Sequence, residues 1–204
     1  MGIWEERMLP RAIDLAMRGS SFRETRQRVC AGLHGEVLEI GFGSGLNVPH
    51  YPETVTRVFA VDPSLRGREL AAARLAGSPV PVEFVGLDGA HIPLADSSVD
   101  TALSTWTLCT IPDVDTAIDE LARVLRPGGT FHFVEHGLAP DGHHRVRRWQ
   151  HRWNPVQKRI GGGCHVNRPI EEIVSRRFEV VELERVYAGR PKVLTSHYEG
   201  VARR

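Results

Sequence analysis

The sequence has no surplus of either charge. Its 204 residues carry 26 Lys and Arg against 25 Asp and Glu, a net charge of +1. The broad basic footprint of a nucleic-acid-binding protein is therefore missing. Cysteine is scarce as well. Cys30, Cys109 and Cys164 are odd in number and widely spaced, with no CxxC pair. That excludes a disulfide framework and predicts a reducing, cytoplasmic setting. Long apolar runs are absent too. The opening "MGIWEERMLPRAIDLAMRGS" is charged throughout, so neither a signal peptide nor a membrane span is expected. The chain begins Met-Gly, but Glu6 stands where N-myristoylation requires Ser or Thr. There is no internal repeat and no low-complexity tract. What remains is ordinary globular composition, 41% hydrophobic and 25% charged, enough for one domain with a core.

The apolar pattern predicts an alternating order of elements. Residues 3 to 31 read as two short helices divided near Gly19-Ser20-Ser21. "EVLEI" is a buried strand between Gly35 and Gly41, and "RVFAVD" follows about a helix length later. "SLRGRELAAARLAG" is a helix ending at Gly77, and "VEFVG" and "SVDTALST" are strands. "DVDTAIDELARVL" is a helix with Asp113 as its N-cap, stopped by "RPGG" before the strand "TFHFVEH". "FEVVELERVYA" and "KVLTSHYEGVARR" read as strands joined by the turn "GRP". The expected fold is α/β: a Rossmann-like doubly wound sheet of five parallel strands plus a C-terminal antiparallel hairpin, seven strands in all.

In such sheets ligands bind beyond the carboxyl ends of the strands. Gly41-Phe42-Gly43-Ser44-Gly45 follows the first strand as GxGxG. Leu46 occupies the place of the third glycine of a dinucleotide fingerprint, and no Gly-Lys-Ser/Thr ending marks a P-loop. Glu39 lies inside an apolar strand, where a carboxylate is costly unless loop amides or a cation compensate it. Asp62, followed by Pro63, ends the second strand and could accept from both hydroxyls of a ribose or cap the next helix. Asp88, before Gly89 and Ala90, could accept from an adenine amine or simply close a turn. Three acids after three successive strands, beside a glycine loop, describe an adenosine site with no demand for phosphate.

"VLEIGFGSG", "VFAVDPS", "LDGAHIPLADSSVD" and "ELARVLRPGG" resemble the motifs of class I S-adenosylmethionine-dependent methyltransferases. Within that class they resemble the type 11 group, which includes the ubiquinone and menaquinone C-methyltransferases; the match spans residues 35 to 135. "NVPHYP", "LSTWTLCTIPD", "FVEHG" and "GGGCHVNR" extend the similarity to the small methyltransferase-like thiol methyltransferases of animal endoplasmic reticulum and lipid droplets. In that group a Gly-Cys pair precedes a segment carrying an Arg, as Gly163, Cys164 and Arg168 do here. The resemblance implies S-adenosyl-L-methionine as cofactor. Glu39, Gly41, Phe42, Gly43 and Gly45 would hold its aminoacyl end, with Asp62 and Pro63 at the ribose. Asp88, Gly89 and Ala90 would frame the adenine, with Thr105 and Trp106 as a floor. The acceptor pocket would draw on Leu108, His136, Trp149, Trp153, Cys164 and Arg168, with His136 or His165 as catalytic base. Cys164-His165 with His143, His144 and His151 matches no zinc spacing, so no metal is expected.

The segment "DGHHRVRRWQHRWNPVQKRIGGG" carries Val146, Trp149, Trp153, Val156 and Ile160 at helical spacing. Six cations, at 145, 147, 148, 152, 158 and 159, oppose Asp141 alone. This predicts an amphipathic basic helix, bent or broken near Pro155, whose apolar stripe closes the acceptor pocket. A sharper reading gives residues 143–160 a peripheral contact with anionic membrane. The expected organisation is one methyltransferase domain over 1–204. It divides into an N-terminal helical cap (1–34), a cofactor-binding core (35–136), a basic acceptor-side insertion (137–170) and a C-terminal helix and hairpin (171–204). The expected partner is a small, hydrophobic acceptor, first a thiol, second a quinone-like ring or phospholipid amine, with no nucleic acid. An NAD-dependent oxidoreductase and a non-catalytic adenosine-ligand binder are the rivals from other classes.

Overall fold

Short apolar runs bounded by glycine and proline form the strands, and alanine- and leucine-rich segments between them form helices. The computed structural model describes residues 8–204; the sequence expectations for residues 3–7 and for Glu6 lie outside them. Two helices, α1 (Leu9–Ala16) and α2 (Ser20–Cys30), precede the sheet. Then follow β1 (Gly35–Ile40), β2 (Val55–Val61), α3 (Leu65–Ala76), β3 (Val82–Gly86), β4 (Val99–Thr105), α4 (Val114–Val124) and β5 (Leu125–His136). The chain ends with α5 (His144–Ile160), α6 (Ile170–Val174), β6 (Glu179–Tyr187) and β7 (Ser196–Arg203). One seven-stranded sheet has the order β3-β2-β1-β4-β5-β7-β6. The first five strands are mutually parallel, and β7 pairs antiparallel with both β5 and β6.

Alternation along the strands sends side chains to two faces. Leu38, Ile40, Ala102, Phe131 and Phe133 point to one, where they meet Ile118 and Leu121 of α4 and Ile170 and Ile173 of α6. Val37, Val58, Leu103 and Val134 point to the other, against Val29 and Cys30 of α2. Both faces are covered, as a parallel sheet requires. The strand order reverses between β1 and β4, which opens a crevice at their carboxyl ends.

Four local expectations are corrected, the last being the β6–β7 connection. First, the spacing between β1 and β2 suggests a helix, yet the loop holds only a single 3-10 turn, Val48–His50. Second, β5 starts at Leu125 rather than after "RPGG". Val99 pairs with Leu125 and Thr101 with Thr130, so the Pro-Gly-Gly segment is absorbed as an irregularity of the strand. Third, α5 runs unbroken through Pro155, and its apolar stripe faces outward. Trp149, Trp153, Val156 and Ile160 are 58%, 39%, 42% and 53% exposed. The buried side chain of α5 is Gln150. Its Nε2 donates to Gly137 O (3.0 Å) and Val166 O (2.8 Å), and its Oε1 accepts from Ala139 N (2.8 Å). Arg147 Nε donates to Ala139 O (2.7 Å), and Asn154 Oδ1 accepts from Val166 N (3.1 Å). The polar side chains of α5 thus serve the unpaired backbone groups of two irregular segments, groups that would be costly to bury without partners. The chain between β6 and β7, residues 188–195, is longer than the "GRP" turn alone.

Candidate active site

The carboxyl end of β1 opens into the glycine loop. Gly41, Gly43 and Gly45 all have positive φ, at 76°, 55° and 73°. At Gly41 a side chain would collide with Thr107, which packs directly over it. At Gly43 a Cβ would meet only Gly41 O, 3.9 Å away, so the space beside the loop is open there. Gly67 of α3 lies against this loop so closely that a Cβ would stand 2.8 Å from Gly43 O. The amino-terminal helix is tied on as well. Asp14, 4% exposed, accepts from Ser44 Oγ at 2.7 Å and pairs with Arg74 at 3.0 Å.

Two buried carboxylates, Asp62 and Glu39, stand by the glycine loop. Asp62 Oδ2 accepts from Gly43 N and Oδ1 from Ser64 N, both at 2.7 Å. Burial nevertheless pushes this acid above its ordinary value, against the pull of those amides. Asp62 is not the cap of α3, because Ser64 itself accepts from Gly67 N at 2.9 Å. Glu39 is fully buried, and its compensation comes from side chains rather than loop amides. Asn47 Nδ2 donates to it at 2.9 Å, and the Tyr51 hydroxyl donates to its other oxygen. Burial pushes Glu39 up to about 7, with those two bonds and the Arg26 cation opposing. Asn47 Nδ2 also lies 3.0 Å from Thr105 Oγ1, while Asn47 Oδ1 is buried with no partner among the described residues. Arg26 is buried beneath the site, 4.7 Å from the centre of the Trp106 ring, and donates to Met17 O and Phe22 O. Burial lowers its guanidinium to about 10.

The loop after β4 is held from below by a third buried carboxylate. Glu135 accepts from Ser104 Oγ (2.6 Å), Thr107 N (3.0 Å) and Cys109 N (3.1 Å). Burial raises its pKa despite these bonds. Trp106 sits at φ 53° on this loop, with its indole N–H 3.3 Å from His197 Nε2.

Beyond it, three groups converge. Cys164 Sγ is 3.5 Å from Cys109 Sγ, and His136 Nδ1 is 3.6 Å from Cys164 Sγ and 3.9 Å from Cys109 Sγ. The shared hydrogen bond of the sulfurs holds the Cys164 thiol low and pushes Cys109 up. His197 packs edge-on to His136 at 4.5 Å.

The other expected site residues separate into two groups. Asp88 is exposed and closes its own turn, accepting from Ala90 N at 2.9 Å; Gly89 lies within that turn. Leu65 and Leu87, just past β2 and β3, leave large apolar side chains 66% and 54% exposed near these acids. Pro63 is exposed beside Asp62. The remaining residues are not gathered into an open pocket. The Phe42 ring is buried edge-on to Phe84, so only its backbone faces the loop. Leu108 belongs to the main core. Arg168 is a strap, donating to the carbonyls of Leu108 and Ile111. His165 stands outside the thiol cluster, and burial with Arg168 and Lys158 nearby lowers it to about 4. Trp149 and Trp153 face solvent on α5. Asn47, Tyr51, Thr107, Glu135 and Cys109 are participants that periodicity does not single out. The signal available for Thr107 and Cys109 was their position just past β4, and for Glu135 its place at the carboxyl end of β5.

The fold and the strand-end acids have the arrangement of a class I S-adenosylmethionine-dependent methyltransferase domain. Residues 38–133 match the family described as "Methyltransferase domain". The chain is 34% identical over 152 residues to the thiol S-methyltransferase TMT1B of Rattus norvegicus, covering 72% of this chain and 62% of that protein. It is 31% identical over 168 residues to human thiol S-methyltransferase TMT1A, covering 78% and 66%. A demethylmenaquinone methyltransferase of Clavibacter sepedonicus is 32% identical over 120 residues, 58% of this chain and 49% of that one. The chain spans just under two-thirds of the length of the thiol S-methyltransferases it matches. The fold is shared with an S-adenosylmethionine-dependent methyltransferase of Mesorhizobium loti (TM-score 0.66, 18% identity, 92% and 100% of the chains). A Thermotoga maritima methyltransferase is similar (TM-score 0.67, 20% identity, 98% of both chains).

Proposed function

We propose that this protein transfers a methyl group from S-adenosylmethionine to a small hydrophobic acceptor, a thiol in the first instance. The open space at the positive-φ Gly43, whose amide donates to the buried Asp62, carries the reading. Asn47 Oδ1 supports it, as a buried acceptor at the same strand end without a partner among the described residues and so a seat for an ammonium group. Asp62 keeps lone pairs for ribose hydroxyls; Asp88, which accepts from Ala90 N and lies 3.3 Å from His91 Nδ1, is exposed and keeps lone pairs for an adenine amine; and Leu65 and Leu87 offer apolar surface to the ring. The cofactor supplies an activated methyl on a sulfonium, so the chain's task is alignment and exclusion of water. A thiol acceptor must lose its proton, and of the two candidate histidines His136 at the end of β5 is favoured, because it lies among the buried groups of the strand ends while His165 stands apart from them. A dinucleotide is disfavoured because its pyrophosphate needs a helix start after β1, and only one 3-10 turn is present there. The thiol reading rests on relatives that match more of this chain than the quinone-ring and phospholipid-amine methyltransferases do. Calorimetry tests the cofactor. S-adenosylmethionine and S-adenosylhomocysteine should bind, with binding lost in Gly43→Val and weakened in Asp62→Ala; binding of NAD in their place would overturn the assignment. A screen of alkanethiols, phenols and quinols then tests the acceptor.

The outward stripe of α5 supports a second element of the reading, a contact with an anionic bilayer surface. Trp149, Trp153, Val156 and Ile160 are exposed between Arg145, Arg148, Arg152, Lys158 and Arg159, which is the pattern of a helix lying in the headgroup region. No helix among the described residues is long and apolar enough to cross a membrane. The protein should sediment with anionic vesicles at low salt, and Arg148→Glu with Arg152→Glu should abolish this. Equal sedimentation of the variant, or none by the unaltered protein, would refute the contact.

A further inference from the structure

We propose that Cys109, Cys164 and His136 form a zinc site whose open fourth position receives the acceptor thiol, an inference that builds on the thiol reading above. The three ligand atoms all lie within 4.8 Å of one another. Their triangle has sides of 3.5, 3.6 and 3.9 Å. A tetrahedral zinc, with Zn–S about 2.3 Å and Zn–N about 2.0–2.1 Å, sets sulfurs about 3.8 Å apart and each about 3.6 Å from the nitrogen. The match needs shifts of a few tenths of an ångström. Two sulfurs and one imidazole are the donor set that favours zinc over harder ions. Three protein ligands with one position left open is the arrangement of catalytic zinc rather than structural zinc.

The supports are rigid and independent. Cys109 is bracketed: Glu135 accepts from its amide, its carbonyl accepts from His165 N at 2.7 Å, and Arg168 holds the carbonyls of Leu108 and Ile111. Cys164 follows the turn Gly161-Gly162-Gly163, where Gly162 and Gly163 take φ of 62° and 86°, a backbone that only glycine adopts without strain. His136 ends β5, the middle of the three supports. Cys109 and Cys164 are buried and His136 is half-buried, so the cluster is approached from the His136 side. None of the histidines of α5 is part of this group, which is why spacing along the chain conceals it.

The chemistry balances without a further reagent. On taking the fourth position the acceptor R–SH gives its proton to solvent, because a metal-bound thiol is deprotonated outright. A sulfur electron pair then forms the new C–S bond as the C–S bond of the sulfonium breaks. The product is a neutral thioether, a weaker ligand, and it leaves. His136 then acts as a ligand, and no side-chain base is required.

The test uses the whole chain, purified without a polyhistidine tag or chelators. Elemental analysis should find about one zinc per chain, the count one Cys2His site holds. Cys164→Ser and His136→Gln should each reduce it at least tenfold, whereas Cys30→Ala should retain it; circular dichroism establishes that each variant is folded. The cobalt-substituted protein should show thiolate charge-transfer and tetrahedral absorption bands, and titration with an alkanethiol should shift them. Zinc below a tenth of an equivalent would overturn the proposal, as would metal unchanged in both variants. A Cys109–Cys164 disulfide in the fresh protein would do the same, and cobalt bands unmoved by thiols would remove the open position. Metal content and bands are read without turnover, so they stand apart from failure of thiol methylation itself.

Discussion

Replacing Gln150 by Leu tests whether α5 is held by its polar side. The side chain is fully buried and serves three backbone groups, Gly137 O, Val166 O and Ala139 N, at 2.8–3.0 Å. Leucine has nearly the same volume, so cavity formation is small and the loss is one of partners. Each buried polar group left unpaired costs about 1–3 kcal/mol. With some relief from entering water, the sum is about 3 kcal/mol. In a domain of this size 1 kcal/mol moves the melting temperature by about 2–4 °C, so the expected fall is about 6–12 °C. The control is Trp149→Gln, about 100° around the helix and exposed, which should stay within about 0.5 kcal/mol of the unaltered protein. Thermal and urea unfolding measure both. If Gln150→Leu is neutral or stabilising while Trp149→Gln destabilises, the helix packs by its apolar stripe and the reasoning fails.

Two further outcomes follow from the site. Glu39 has its folded pKa raised to about 7 from 4.5, so the folded state holds its proton more tightly than the unfolded state does. Its contribution is present below pH 4.5 and is lost as the pH rises to about 7, a change of about 3 kcal/mol; Glu39→Gln should flatten that limb of the stability profile, and an unchanged limb would refute the assignment. Gly67→Ala should push the Gly43 backbone out of place and weaken S-adenosylmethionine binding about tenfold, or ~1.4 kcal/mol by calorimetry, with equal affinity counting against the close approach.

Much of the fold is legible because burial writes a period into the chain. "EVLEI", "RVFAVD" and "TFHFVEH" are short apolar runs ended by glycine, proline or acid, and each is a strand of the observed sheet. Strand ends are also where ligands of such sheets bind, so Glu39, Asp62 and the glycine loop stand out before any coordinates. Periodicity fails where the buried face is polar. The Val-Trp-Trp-Val-Ile stripe of α5 is real, but Gln150, Asn154 and Arg147 bond to carbonyls and amides in the neighbouring loops, and those bonds rather than the stripe mark the face that packs. Spacing also misjudged the β1–β2 connection, where Pro49 and Pro52 leave room for a single 3-10 turn.

The sequence by itself determined the alternating α/β order, the parallel sheet with its terminal hairpin, and the glycine loop with acids at successive strand ends. These are local consequences of apolar period, turn residues and backbone freedom. Only the tertiary structure decided which face of α5 is buried, that Asn47 and Tyr51 are the partners of Glu39, and that Cys109, His136 and Cys164 meet. Those pairings join segments up to 55 positions apart, and nothing in local sequence encodes a distance that exists only once the sheet has brought its strand ends together.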